Sequence, residues 1–364
     1  VTVATVDEAI DALRGDIGRQ VAIDAGDSFV TMASVDSFRH FATGTGDFNP
    51  LWWDDEYAEA SPRRGRTAPP TWLVTVGMPY QALLPLRPHG WKSLDGDIRW
   101  EFFDHVRPGD TFDISAHLTE VVEKPSRALG RAILAHAEAE YRNQRNKLVA
   151  KATAGLWFFP GTASSGAGGT SASAPVVEPV TACDEVPLDA LGGIKRRGAD
   201  PLLWSQVSVG DEIAPMHRPT LTAFEIMAWC VGSGTVGFEK IARGERAEFV
   251  GRPVQEVEQR SVMRHILPEL SRRDGLPGGF DVGTQRTAWL GQLVSDWMGD
   301  SGELIELYCR FGRLLFVGDS PVCGGTVVDT YVENSRHLVR LELWVRNQRG
   351  EKMSDASALV ALPE

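Results

Sequence analysis

The chain repeats itself, and this limits the folds open to it more than any other feature. Four landmarks recur in the same order. Asp24-Ala25-Gly26-Asp27 returns as Ser208-Val209-Gly210-Asp211, at an offset of 184 residues. The stretch from Ser34 to Gly46, ending Ala-Thr-Gly-Thr-Gly, matches Thr222 to Gly234, ending Cys-Val-Gly-Ser-Gly, at 188. Pro108-Gly109-Asp110 matches Val317-Gly318-Asp319 at 209, and Arg142-Asn143-Gln144-Arg145 recurs unchanged as Arg346-Asn347-Gln348-Arg349 at 204. The offset drifts slowly, as loops of unequal length would make it. Between Gly161 and Val177 the chain holds only Gly, Ala, Ser, Thr, Pro and two valines, with no charge, a composition that cannot build a core and reads as a flexible linker. The reading is therefore a duplication: a first domain over residues 1–160, a linker over 161–181 and a second domain over 182–364. A long linker makes pairing of the halves an intramolecular event, which favours pairing within one chain over pairing across chains.

Each half carries the same order of elements. A short helix (Val35 to Thr43; Thr222 to Val231) is followed by an irregular stretch and a longer apolar helix, expected over Thr71 to Tyr80 and over Thr284 to Met298. Strands follow. Ile98, Trp100 and Phe102 alternate with polar residues, as do Phe112, Ile114, Ala116 and Leu118, and in the second half Val339, Leu341, Leu343 and Val345. Period-two alternation indicates antiparallel strands with one face buried and one wet. Gly-Asp and Asn-Gln-Arg-Gly suit the hairpin turns between them. At the N-terminus, Val6, Ile10, Leu13 and Ile17 follow helical spacing. A long helix ahead of several antiparallel strands predicts an α+β fold in which a sheet wraps a central helix.

Composition excludes several functions. With 43% apolar residues over 364 positions the chain can bury a large core, and a net charge of −12 offers no basic field to gather nucleic-acid phosphates. Cys183, Cys230, Cys309 and Cys323 are widely spaced, so neither a zinc site nor a disulfide framework is expected, and reduced thiols in a cytoplasmic protein are the default. No stretch approaches eighteen consecutive apolar residues and the N-terminus lacks the form of a signal peptide, so no membrane association is expected. There is no G-x-G-x-x-G after a strand, no P-loop and no metal-ligand spacing.

The segment Gly46-Asp47-Phe48-Asn49-Pro50-Leu51-Trp52, just after an amphipathic helix, resembles the G-D-x-N-P-L-H signature of the MaoC-like (R)-specific enoyl-CoA hydratases and dehydratases. Together with Ala68-Pro69-Pro70-Thr71, Tyr141-Arg142-Asn143-Gln144, Arg197-Gly198-Ala199-Asp200-Pro201-Leu202, Asp281-Val282-Gly283 and Asp296-Trp297-Met298-Gly299-Asp300, it is similar to the FAS1-like dehydratase branch of that family. The resemblance covers nearly the whole chain apart from the linker. It implies a double hotdog: two hotdog domains in one chain, each an antiparallel sheet wrapped around a central helix. It also implies an acyl-CoA thioester as substrate and no further cofactor.

Adding water across an enoyl thioester requires a polarised carbonyl, an activated water and a proton for the α-carbon. In the family an Asp and a His share the last two tasks, and a backbone N–H at the start of the central helix takes the oxyanion. Asp47 matches the catalytic aspartate and Asn49 its neighbour, although a local Asx-turn at Asp47 and a loop-holding role for Asn49 account for both residues too. Trp52 stands where the histidine belongs; indole has a donor and no acceptor, so it cannot exchange protons and is expected as a pocket wall or core aromatic. His40, His89 and His105 lie in the same half but not at the motif's spacing. The N–H groups of Thr71 and Trp72, after Pro69-Pro70, and that of Gly283 in the second half are candidate oxyanion donors. Elsewhere the second half reads as scaffold: Thr235 stands at the position of Asp47, and Val236 to Arg243 has no counterpart of the motif. Arg63, Arg64 and Arg66 are expected on a solvated face, and Trp289 and Trp297 in the core or at a subunit interface.

Three functions follow from these readings. The first is an enoyl-CoA hydratase or 3-hydroxyacyl-CoA dehydratase with Asp47 as acid/base. The second is a non-catalytic acyl-binding subunit, completed by a small hotdog partner that carries an intact Asp/His pair; a homodimer is the other assembly. The third is a thioesterase, against which the first central helix counts, having no Asp or Glu. Asp296 near the end of the second is the only helix carboxylate available.

Overall fold

The structure, a computed structural model, describes residues 4–23, 30–126, 130–160, 196–234, 263–273 and 276–364. The expected linker, the Asp24–Asp27 landmark, Cys183, Thr235 and the segment 236–243 lie outside these residues. Ten strands form one sheet: β1 (Gln20–Ala22), β2 (Trp91–Phe102), β3 (Phe112–Ser126), β4 (Gly130–Asn143), β5 (Leu148–Pro160), β6 (Glu212–His217), β7 (Glu303–Phe311), β8 (Val322–Glu333), β9 (Arg336–Arg346) and β10 (Lys352–Leu362). Their order is β1-β3-β4-β5-β2-β7-β10-β9-β8-β6. Read from either end, the order of the first half repeats in the second. The two halves meet where β2 and β7 pair antiparallel, from Asp97↔Arg310 to Glu101↔Glu306.

The duplication is visible atom by atom. In the first half Asn143 Oδ1 accepts from the N–H groups of Arg145 and Lys147, and in the second Asn347 Oδ1 accepts from those of Arg349 and Glu351. Gln144 and Gln348 each accept the N–H that follows the Gly-Asp pair, from Thr111 and Ser320. Asp110 and Asp319 accept from the N–H three residues earlier and pair with Arg145 and Arg349 at 3.3 and 3.2 Å. The recurring sequence is thus a recurring turn, in which side chains satisfy N–H groups that the hairpin leaves open.

Nine helices are described: α1 (Val6–Gly15), α2 (Val35–Thr45), α3 (Pro50–Trp53), α4 (Asp55–Ala60), α5 (Tyr80–Leu83), α6 (Ala223–Gly232), α7 (Met263–Ile266), α8 (Pro268–Arg273) and α9 (Gly283–Met298). Capping fixes the repeated pair: Ser34 caps α2 and Thr222 caps α6, each accepting from the N–H three residues on. These two helices cross at Gly44 and Gly232, which are themselves repeat partners. A Cβ on Gly44 would stand 2.7 Å from Ala228 O, and one on Gly232 2.5 Å from His40 O, so the crossing depends on both positions lacking a side chain.

The second central helix forms as expected and is buried along nearly its whole length. The first does not run over Thr71 to Tyr80. It is a 3-10 helix over Pro70–Thr75, a break at Gly77 (φ 156°) and Pro79, and then the single turn of α5. Proline supplies no N–H and the Gly77 backbone is not helical, so the hydrogen-bond ladder cannot continue. The alternating residues of β3 and β9 face the core as expected, and one continuous apolar cluster spans both halves, from Phe38, Trp72 and Trp100 to Trp229, Trp289 and Leu341. Trp289 is core and Trp297 packs at its edge.

Candidate functional site

The motif residues fold into a small closed cluster. Asp47 N donates to Ala42 O at 2.8 Å, ending α2. Asn49 caps α3 through Leu51 N (3.0 Å), the loop-holding role expected of it. The Asp47 carboxylate accepts from Asn49 N at 3.0 Å and from Trp52 Nε1 at 2.9 Å. The tryptophan in the histidine position therefore acts as a donor to the aspartate. Trp52 is fully buried with Ala42 and Leu51, flanked by Trp53 and Tyr57, as a core aromatic.

The second half reaches this cluster. Arg196 places Nη2 3.9 Å from Asp47 and donates through Nε to Asp296 on α9 at 2.8 Å and through Nη1 to Phe48 O at 2.9 Å. Arg218 donates to Gln292 Oε1 at 3.1 Å and to Thr45 O. Burial pushes the Asp47 carboxyl upward, against the pull of Trp52, Asn49 N and the two arginines. Burial and then the charge of Asp47 push Asp296 to about 7, against the pull of Arg196. Asp296 Oδ2 has no hydrogen-bond partner, and each carboxyl is raised chiefly by burial. Asp47 is held by two donors, with the Arg196 guanidinium 3.9 Å away.

Two expectations are corrected nearby. Arg63 and Arg66 are buried: Arg63 meets His105 at 3.1 Å, and Arg66 pairs with Asp55 and donates to Trp52 O. They brace the loop from inside. His105 is kept neutral, its pKa pushed down to about 3 by burial and then by Arg63 and Arg107. Trp72 N is bonded to Pro69 O at 2.9 Å and is no free oxyanion donor. Thr71 is buried, its side chain against α9 at Gly291.

Gly283 stands elsewhere, at a cavity of about 860 Å³ that opens where β2 and β7 cease to pair. Val282, Gly283 and Thr284, the start of α9, line it. No side chain caps this helix; Gln285 N bonds to Val282 O, and the N–H groups of Gly283 and Thr284 have no partner among the described residues. Asp281 and Arg286 form a buried bidentate pair beneath, with Leu315 N donating to Asp281 at 3.1 Å.

Strand β2 presents two carboxyls to this cavity on opposite faces. Asp95 is paired with Leu156 and Asp97 with Gly155, so Gly96 is an extra residue. By simple alternation both would face the same way; the bulge turns Asp95 to the core side, where Leu156 points. Its Oδ2 comes within 3.0 Å of where a Cβ on Gly283 would stand. Asp97 faces away, to His136 Nε2 at 3.2 Å. Asp95 has no hydrogen-bond or ion-pair partner among the described residues. Burial, then the charge of Asp281, pushes its carboxyl up to about 6, against the pull of Arg286. Neither Asp95 nor His136 is marked by any motif; only strand register and the bulge bring them to the cavity.

Residues 19–152 match the family model described as the FAS1-like, dehydratase domain region. A UPF0336 protein of Parafrankia sp. (strain EAN1pec) is 32% identical over 124 residues, which cover 32% of this chain and 78% of that protein. Among solved structures, a MaoC-like dehydratase aligns with a TM-score of 0.67 at 15% identity, covering 97% of this chain and 100% of the other. A double-hotdog protein of Mycobacterium tuberculosis aligns at 0.56 and 13% identity, covering 96% and 97%. At such identities these alignments establish the fold, the α+β double hotdog. Taken with the sequence matches over the first half, they show that the chain belongs to the MaoC-like hotdog dehydratase family.

Proposed function

We propose that the protein binds an acyl-CoA thioester in the cavity at the start of α9 and interconverts its enoyl and 3-hydroxyacyl forms. The observation that carries this reading is the uncapped helix start opening onto a cavity large enough for an acyl group. A thioester oxygen docked there meets the N–H groups of Gly283 and Thr284, and the helix dipole favours the charge that develops on it. Lys124, Arg264, Arg310 and Arg313 line the same cavity and suit the phosphates of a CoA carrier; Arg310 is tied to Asp355 by an exposed ion pair, which is weak enough to exchange. The test is turnover of crotonyl-CoA and bulkier enoyl-CoAs by the full chain, with butyryl-CoA binding measured beside it. Absence of butyryl-CoA binding would refute the assignment of the cavity.

A second reading is supported by the Asp47 cluster. With Trp52 bonded to the carboxylate, the motif that serves acid/base chemistry in the family is closed, which fits an acyl-binding subunit whose chemistry comes from a small hotdog partner. Binding without turnover, and turnover on adding such a partner, is its signature. The thioesterase reading is the least favoured, because Asp296, the carboxylate it would need, is tied to Arg196.

A further inference from the structure

The duplication provides an internal control for the cavity. The bulge at Gly96 in β2 has a counterpart at Ile305 in β7, where Leu304 pairs with Val360 and Glu306 with Leu359. Asp95 is therefore the repeat partner of Leu304, a buried core leucine. One half places an apolar side chain at this position, as a core face requires. The other places a carboxyl with no partner against a helix start. A half-buried carboxyl with no partner gains nothing from packing, so its presence calls for a role other than packing.

Of the three carboxyls that line the cavity, Asp281 is taken by Arg286 and Leu315 N, and Asp97 faces His136 on the other side of the sheet. Asp95 alone is uncommitted, and it lies beside Gly283, where the thioester carbonyl would dock.

We propose that Asp95 is the acid/base residue of the cavity, acting on water and on the α-carbon of an enoyl thioester held at the start of α9. This rests on the acyl-binding reading of the same cavity. In hydration the Asp95 carboxylate takes a proton from water as the new O–C3 bond forms. The C2=C3 π pair moves toward C2 and the thioester oxygen, which the Gly283 and Thr284 N–H groups stabilise. The protonated Asp95 then returns its proton to C2 as the carbonyl re-forms. Dehydration is the reverse, and no oxidant or second reactant is involved. A raised carboxyl pKa suits a group that must both accept and donate a proton near neutrality.

The test uses the full chain, with butyryl-CoA as the binding probe and crotonyl-CoA and longer or branched enoyl-CoAs as substrates. Asp95→Asn is expected to bind butyryl-CoA within threefold of the wild type and to lose at least a hundredfold in kcat. Asp95→Leu, which installs the residue of the other half, is expected to raise Tm while abolishing hydration. A purely structural Asp95 would instead give a lower Tm in both variants. Retention of more than a third of kcat in Asp95→Asn overturns the proposal. So does a wild-type protein that binds butyryl-CoA yet hydrates none of the enoyl-CoAs, an outcome that leaves the acyl-binding reading standing. Failure to bind butyryl-CoA removes both.

Discussion

At the scale of single residues, two aspartates of the first half stand in unlike surroundings. Asp47, in the recognisable motif, is held by Trp52 Nε1 and Asn49 N and braces the loop that follows α2. Asp47→Ala leaves both buried donors without an acceptor, which costs about 2–4 kcal/mol. Urea unfolding should show that loss, while turnover per folded molecule stays within threefold of wild type. Asp95, unmarked by any motif, carries a carboxyl raised to about 6. The native protein then retains a proton that the unfolded chain releases near pH 4. Stability from this group is complete at low pH and falls as pH rises toward 6, by on the order of 2 kcal/mol. Asp281 before α9, Arg286 on α9 and Tyr80 on α5 couple to it electrostatically, and Asp97, His136, His265 and Arg310 are among the other titratable groups that line the same cavity. A Tm series from pH 4 to about 7 should show this decline in the wild type and a flatter profile in Asp95→Asn, since the other groups are common to both.

At the scale of elements, the crossing of α2 and α6 decides how closely the halves approach. Gly44 and Gly232 leave no space for a Cβ against the facing backbone. Gly232→Ala is expected to cost about 2–3 kcal/mol through overpacking, read as a lower urea midpoint, and Gly44→Ala a similar amount. A substitution at either glycine that left the midpoint unchanged would show that the helices slide apart without penalty. The elements themselves were largely legible. The short helices were read near their observed bounds, and alternation marked β3 and β9. The first central helix was misread because its composition is apolar throughout, while Gly77 and Pro79 break the ladder inside it.

At the scale of the whole molecule, the β2–β7 seam and the shared core make the two halves one body. Residues 1–160 and 196–364 expressed separately should each expose the core faces of Phe41 and Trp229, which meet across the halves at 5.5 Å between ring centroids. Each half is expected to aggregate alone, and the two to co-purify as a folded pair when expressed together. Two halves that are each soluble and cooperative alone would contradict a shared core. Among the described residues no helix is long and apolar enough to cross a membrane.

What the sequence determined by itself was the repeat, found by matching the chain against itself, and what is local: the alternating strands, the short helices and the Asn-Gln-Arg turns, each of which depends on residues within a few positions of one another. It also marked the Asp47 segment, with Trp52 where the resembling signature has histidine. The surroundings of that pair were decided only in three dimensions, where Trp52 points its indole N–H at the carboxylate and Arg196 and Asp296 arrive from the other half. The cavity was decided in the same way. Asp95 and Gly283 are 188 residues apart, and one extra residue in β2 turns the carboxyl toward the helix start. Strand register is a property of the assembled sheet, and a one-residue shift in it moves a side chain from one face to the other.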